Sequence, residues 1–285
     1  KWATANGNTD WFGEFYDNWV PSQEHNLSIS GGTEKLQYVL SGSFLDQKGL
    51  LRHGTDKFQR YTLNSKITAN ITDWLKVTLN SKWTREDFQR PTYLTSSFFH
   101  NLARKWPVHP AYDPNGFPMD EGEIEQMENG GEQNSQKDYY TNQLHVVIEP
   151  IKNWRINLEG SVRTTTQYQH WEVLPVHAYD VNGDPYYTVW DMGYGSYSAG
   201  SSRVDEYSWK ENYYTTNIYS DYFKQFDNGH YFKVMAGFNA ELYKKGGLTG
   251  FGTDLITPSV PELNTTQDNK NAYNSASELA IAGFF

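Results

Sequence analysis

The chain has 285 residues, 37% hydrophobic, 16% aromatic and 20% charged, with a formal net charge of −10. The aromatic content argues against disorder, and the acidity, without a basic stripe, argues against a nucleic-acid binder. No apolar run approaches the ~18 residues of a membrane helix. Cysteine is absent, so disulfides, thiol catalysis and Cys-ligated metal centres are out. The opening Lys1-Trp2-Ala3-Thr4 lacks the charged start and apolar stretch of a signal peptide.

In chain order the dominant pattern is period two, which puts alternate side chains on opposite faces of a strand. Strands are predicted at residues 25–30, at 35–45 (apolar at Leu36, Tyr38, Leu40 and Phe44) and at 58–69. The clearest runs from Leu75 to Thr84, where odd positions are apolar except Ser81 and even positions are polar. A short helix is expected within 92–104, on Leu94, Phe98 and Leu102. Further strands follow at 139–148, 155–163, 212–226 and 231–241, and a ninth begins near Ser277. The last residues, Glu278 to Phe285, read as the middle of a strand, so the chain is expected to be part of a longer protein.

The connections are of two kinds. Tight turns at 31–34, 71–73, 150–153 and 227–229 join neighbouring strands as hairpins. The others are a short one at 46–57 and long loops at about 86–138, 164–211 and 242–276. The two kinds alternate, so one end of the meander has tight turns and the other has loops rich in Tyr, Trp and Gly. Loops this long are unusual in a compact soluble domain. They are expected in outer-membrane β-barrels, whose strands cross in ~9–11 residues between short periplasmic turns and long extracellular loops. Trp74 and Trp154, each just after a tight turn, suit a lipid–water boundary. The expected fold is therefore all-β: part of the wall, eight to nine strands, of an antiparallel up-and-down transmembrane barrel. A half-exposed antiparallel sheet of a soluble protein gives the same alternation.

Residues 8–85 go further. The string His25-Asn26-Leu27-Ser28-Ile29-Ser30-Gly31-Gly32-Thr33-Glu34-Lys35, then Tyr38-Val39-Leu40-Ser41, Asp46-Gln47-Lys48-Gly49, Phe58-Gln59-Arg60-Tyr61 and Ile71-Thr72-Asp73-Trp74-Leu75-Lys76, resembles the SusC-like TonB-dependent transporters of Bacteroidetes outer membranes. Asn8-Thr9-Asp10-Trp11 and the last nine residues are similar to the same family. The resemblance implies a barrel of about 22 strands with a plug in a Gram-negative outer membrane. It further implies a SusD-like lipoprotein lid, and glycan or peptide uptake driven through TonB. Residues 1–285 would then be a partial barrel domain, without the plug, the TonB-contacting segment or the remaining strands.

Candidate functional residues fall in two groups. Lys76, Asn80, Lys82, Arg155, Asn157 and Glu159 share the polar sides of two strands and are expected to line a wet lumen. In the loop 164–211, Trp171, Tyr186, Tyr187, Trp190, Tyr194 and Tyr197 are expected to meet substrate or partner, because rings stack on sugar C–H faces and anchor interfaces. Two loop segments repeat, Pro107 to Gly116 and Pro175 to Asp184; both read as Asn-Gly turns rather than calcium loops, since the closing glutamate is missing. The acidic run 120–128 reads as a solvated face. The eight histidines form no i, i+4 pair, and nucleophile, phosphate-loop and dinucleotide motifs are missing. No enzyme, metal or cofactor is expected. The function expected is part of an importer for a nutrient oligomer, glycan before peptide. The alternatives are a soluble all-β glycan-binding module with an aromatic platform, and a passive porin.

Overall fold

A computed structural model describes residues 6–180, 182–188, 190–191, 196–197 and 199–285, without the side chains of Glu121, Trp190, Asp191, Ser196 and Tyr197. Nine strands form a single antiparallel sheet in chain order. They are β1 (Ser22–Gly32), β2 (Leu36–Lys48), β3 (Lys57–Thr72), β4 (Leu75–Pro91), β5 (Glu132–Ile151), β6 (Trp154–Val173), β11 (Arg203–Gln225), β12 (Tyr231–Leu255) and β13 (Thr266–Phe284). The numbers β7 to β10 belong to short strands between β6 and β11: β7 (His177–Tyr179), β8 (Pro185–Tyr187), β9 (Trp190–Asp191) and β10 (Ser196–Tyr197). β1 and β13 are the two edges, so the sheet is open.

All nine predicted strands are present, but most run much further toward the loop end than the period-two pattern did. β4 continues to Pro91, β5 starts at Glu132, β6 reaches Val173, and β12 reaches Leu255. The loops shrink accordingly, to 92–131, 174–202 and 256–265. The reason is chemical. Alternation needs a face against an apolar medium, whereas backbone pairing does not. Beyond Trp83 β4 is polar on both sides except at Phe88 and Pro91, and the ladder continues without the pattern.

The loop end is closed by a small hydrophobic core. The segment before β1 carries α1 (Trp11–Phe15), capped by Asp10, whose carboxylate accepts from Gly13 N. The loop after β4 carries α2 (Ser96–Leu102), where the short helix was expected, then a 3₁₀ turn (Asp120–Gly122) and α3 (Ile124–Asn129). Trp11, Phe15, Tyr93, Phe98, Leu102, Ala111, Ile124, Met127, Val173 and Val176 pack together. The rings of Phe15 and Phe98 meet edge-on at 5.0 Å. The acidic run is thus not a solvated face. Ile124 and Met127, three apart on α3, are buried. Glu123, also buried, accepts from Tyr93 Oη (2.7 Å) and Asn101 Nδ2 (2.8 Å) and pairs with Lys105 Nζ at 2.6 Å.

Candidate functional site

The registers divide the sheet into two chemically different faces. On one, Ile67, Leu79 and Leu144 lie side by side. Further along, Leu158, Ile218, Phe238 and Phe284 do the same. These side chains are uncovered: Leu27 is 69% exposed, Leu63 57% and Leu144 47%. The apolar belt ends at a sharp boundary, where Trp83 and Tyr140 sit opposite each other with rings 6.4 Å apart. One step beyond, Arg85 grips Asp138 with two bonds of 2.9 Å, and Trp83 Nε1 donates to the same carboxylate at 3.0 Å. At the turn end Trp154 lies on this face and donates to Ser220 Oγ at 2.7 Å. Trp74 is not its equivalent. A register shift between Asn70 and Thr72 leaves Trp74 in the turn, beside Lys76 and Arg155. From Trp74 to Trp83 is nine residues, which at ~3.3 Å per residue and ~45° tilt rises about 21 Å, close to the ~25 Å apolar band of an outer-membrane barrel.

The opposite face is polar, and all six expected lumen residues share it. Lys76, Asn80 and Lys82 point there from β4, and Arg155, Asn157 and Glu159 from β6. Their surroundings differ. Arg155 NH2 pairs with Asp221 at 3.0 Å, and His145 Nε2 lies 3.3 Å from Asn157 Oδ1 and 3.6 Å from Glu159. Tyr219 Oη donates to Glu159 at 3.3 Å. Among the described residues the side chains of Lys76, Asn80 and Lys82 make no hydrogen bond or ion pair, so they are the open part of the set.

The predicted contact aromatics are scattered. Trp171 stands in β6 and packs against the loop core, its indole N–H enclosed without a partner among the described residues; it is an anchor of the core, not a free platform. Tyr186 and Tyr187 are 40% and 49% exposed on β8, and Tyr187 lies 4.1 Å from the His177 ring. Tyr194 and the side chains of Trp190 and Tyr197 lie outside the described residues. Trp209, read from the sequence as a loop aromatic, stands in β11 on the polar face, between Lys137 Nζ (5.6 Å) and Lys245 Nζ (4.5 Å). The odd spacing Trp209, Glu211, Tyr213 carries its signal, but it lies ahead of the strand expected at 212–226, which in the structure begins nine residues earlier, at Arg203.

The repeated turns form as expected and lie against each other. Asp113 Oδ1 accepts from Asn115 N and Phe117 N, each at 2.8 Å, and Asp180 Oδ1 accepts from Asn182 N and Asp184 N. Gly116 and Gly183 hold φ of 90° and 83°, which L side chains rarely adopt. The Phe117 and Tyr179 rings stack at 4.5 Å. The Asp180 carboxyl is held below its usual range by the N–H groups of Asp184 and Asn182. These carboxylates serve the turns. Among the described residues no group of three or more metal-ligating side chains forms.

No family model matches the chain. A curated relative, the TonB-dependent receptor SusC of Bacteroides thetaiotaomicron, is 25% identical over 278 residues, 88% of this chain and 26% of the relative. Over most of its length the chain thus resembles a SusC-like receptor. TonB-dependent receptor P3 of Formosa agariphila is 34% identical over 73 residues, covering 26% of this chain and 7% of that protein. A solved structure of the RagAB peptide importer in its closed-closed state superposes with a TM-score of 0.78 over 97% of this chain, at 17% identity, and shows the fold. The chain spans about a quarter of the SusC relative and 30% of that importer chain.

Proposed function

We propose that this chain is part of the barrel wall of a TonB-dependent outer-membrane importer, which takes up a nutrient oligomer, a glycan before a peptide, beneath a SusD-like lipoprotein lid. The observation that carries the reading is the two-faced sheet. An uncovered apolar belt of membrane height backs a face of charges, hydroxyls and amides. A wall between lipid and a wet lumen needs both. The loop-end core and Tyr186 and Tyr187 stand where a lid or an arriving oligomer would touch. TonB would act through a segment outside residues 1–285. Glycan is favoured because the polar face offers hydroxyls and tyrosine rings rather than aliphatic pockets. The soluble-module reading requires a second sheet over the apolar belt, and no described residue covers it.

The test is fractionation of source cells with an antibody to residues 174–202, combined with uptake of labelled oligomers. The full-length protein should appear in the outer membrane, and uptake should stop when TonB is deleted. A soluble band near 32.9 kDa refutes the importer, and uptake that survives TonB deletion makes it a passive pore.

A further inference from the structure

We infer that the loop-side part of the polar face binds an anionic oligosaccharide, one bearing carboxylate or sulfate groups; this rests on the importer reading and names its substrate class. The register aligns three successive rows across β3, β4, β5, β6, β11 and β12. Lys82 falls in a row with Thr141, Arg163 and Tyr213; Thr84 with Tyr139, Glu211 and Lys245; Arg60 with Glu86, Lys137 and Trp209. Across these strands the three rows hold five cations, Arg60, Lys82, Lys137, Arg163 and Lys245, against two carboxylates, Glu86 and Glu211. That excess stands in a chain whose formal net charge is −10.

The two carboxylates are already engaged. Glu86 accepts from Tyr139 Oη at 3.2 Å, and Glu211 accepts from Tyr243 Oη at 3.1 Å while Arg163 stays 3.9 Å away. The cations are positioned by rings instead. Lys137 lies 4.9 Å from the Tyr139 ring, Lys245 4.5 Å from Trp209, and Arg163 5.3 Å from Tyr213. Among the described residues the side chains of Arg60 and Lys82 make no hydrogen bond or ion pair. Like charges lining one cavity repel, and an anion between them removes the repulsion. The space for it is an open cavity of about 510 Å³ lined by Arg60, Lys82 and Arg163, with the hydroxyls of Thr62, Thr84 and Thr141, and by Tyr139 and one carboxylate, the Glu86 that Tyr139 engages. Nearer the turns Arg155 is matched by Asp221 at 3.0 Å, and Glu159 and Glu241 offset Lys66 and Lys76 on the same face, so the cation excess is local. Hydroxyls and amides would bond sugar hydroxyls. None of the three rows carries an aliphatic side chain between β3 and β12, which disfavours a peptide.

The test uses the full-length receptor in detergent and three probes of one length: hexagalacturonate, a sulfated hexasaccharide and neutral maltohexaose, with hexaglutamate as the peptide arm. At least one charged sugar should bind. Its affinity should fall about tenfold or more in a Lys82→Gln/Arg163→Gln variant, because two charge-assisted contacts are lost. A Lys82→Arg/Arg163→Lys variant should retain it, and added salt should weaken it. The inference is overturned if neither charged sugar binds, if the Gln variant loses charged and neutral sugars equally or loses nothing, or if hexaglutamate is preferred. Outer-membrane location and TonB-dependent uptake are scored in the same strains. Failure of those sinks the importer reading, whereas failure of the charge discrimination alone sinks only this inference.

Discussion

Placing an arginine at Leu79 tests the assignment of the apolar face to lipid. Leu79 lies five residues above Trp74 and four below Trp83. At ~3.3 Å per residue and ~45° tilt, that is about 12 Å from the turn end and about 9 Å from the Trp83 boundary, close to the bilayer midplane. Leu79→Arg should therefore cost about 2–4 kcal/mol, about two decades in the folded-to-unfolded ratio. Leu63, paired with Trp83 at the outer boundary, should tolerate arginine at about 0–1 kcal/mol. Thr78, next to Leu79 in sequence, faces the polar side, where its Oγ1 lies 3.3 Å from Thr68 Oγ1. Thr78→Arg should lose only that bond, about 0.5–1.5 kcal/mol. The assay is urea titration of the full-length receptor in vesicles of a short-chain lipid, read by gel mobility before and after boiling. If Thr78→Arg costs as much as Leu79→Arg, or if Leu63→Arg costs as much as Leu79→Arg, the two-face assignment is wrong.

Two further outcomes concern the part of the sheet beyond the membrane. His170 sits between Glu172 (3.2 Å from Nε2) and Glu206 (2.6 Å from Nδ1). The bond to Glu172, with that to Glu206, raises its pKa from 6.5 to about 9 against the effect of burial. A raised value means that its stabilisation is full below about 6.5 and fades as pH climbs through about 9. NMR titration of labelled histidine should find this ring charged at pH 7.5, and His170→Gln should flatten the alkaline loss of stability; a midpoint near 6.5 would contradict the geometry. Glu123→Ala should remove the buried carboxylate that pairs with Lys105, both side chains being 9% exposed, at a cost of about 3–5 kcal/mol. Trypsin should then cut after Arg104 or Lys105 while the strands stay protected, and unchanged cleavage would show that the carboxylate does not hold the loop.

The strands were legible because lipid and water impose opposite demands on neighbouring residues, as at Leu75 to Trp83. The strand extensions were not, because residues 85–91, 132–138 and 164–173 meet no apolar medium and carry no alternation. The loop-end core was half visible. Phe98 and Leu102 announced α2, but the carboxylates around Ile124 and Met127 hid α3. That Lys76, Asn80, Lys82, Arg155, Asn157 and Glu159 share one polar face was legible from parity alone. Trp209, Lys137 and Lys245 were not, since only the register across four strands brings them together. The same holds for the stacked turns, whose repeated sequence marked their shape but not their contact.

The length of the strands has a mechanical consequence. β12 has 25 residues, which at ~3.3 Å per residue and ~45° tilt climbs about 58 Å, more than twice the ~25 Å apolar band. In a barrel wall of the kind proposed, that surplus would stand above the apolar band as a hydrogen-bonded collar, and the loops would be carried clear of the lipid headgroups on top of it.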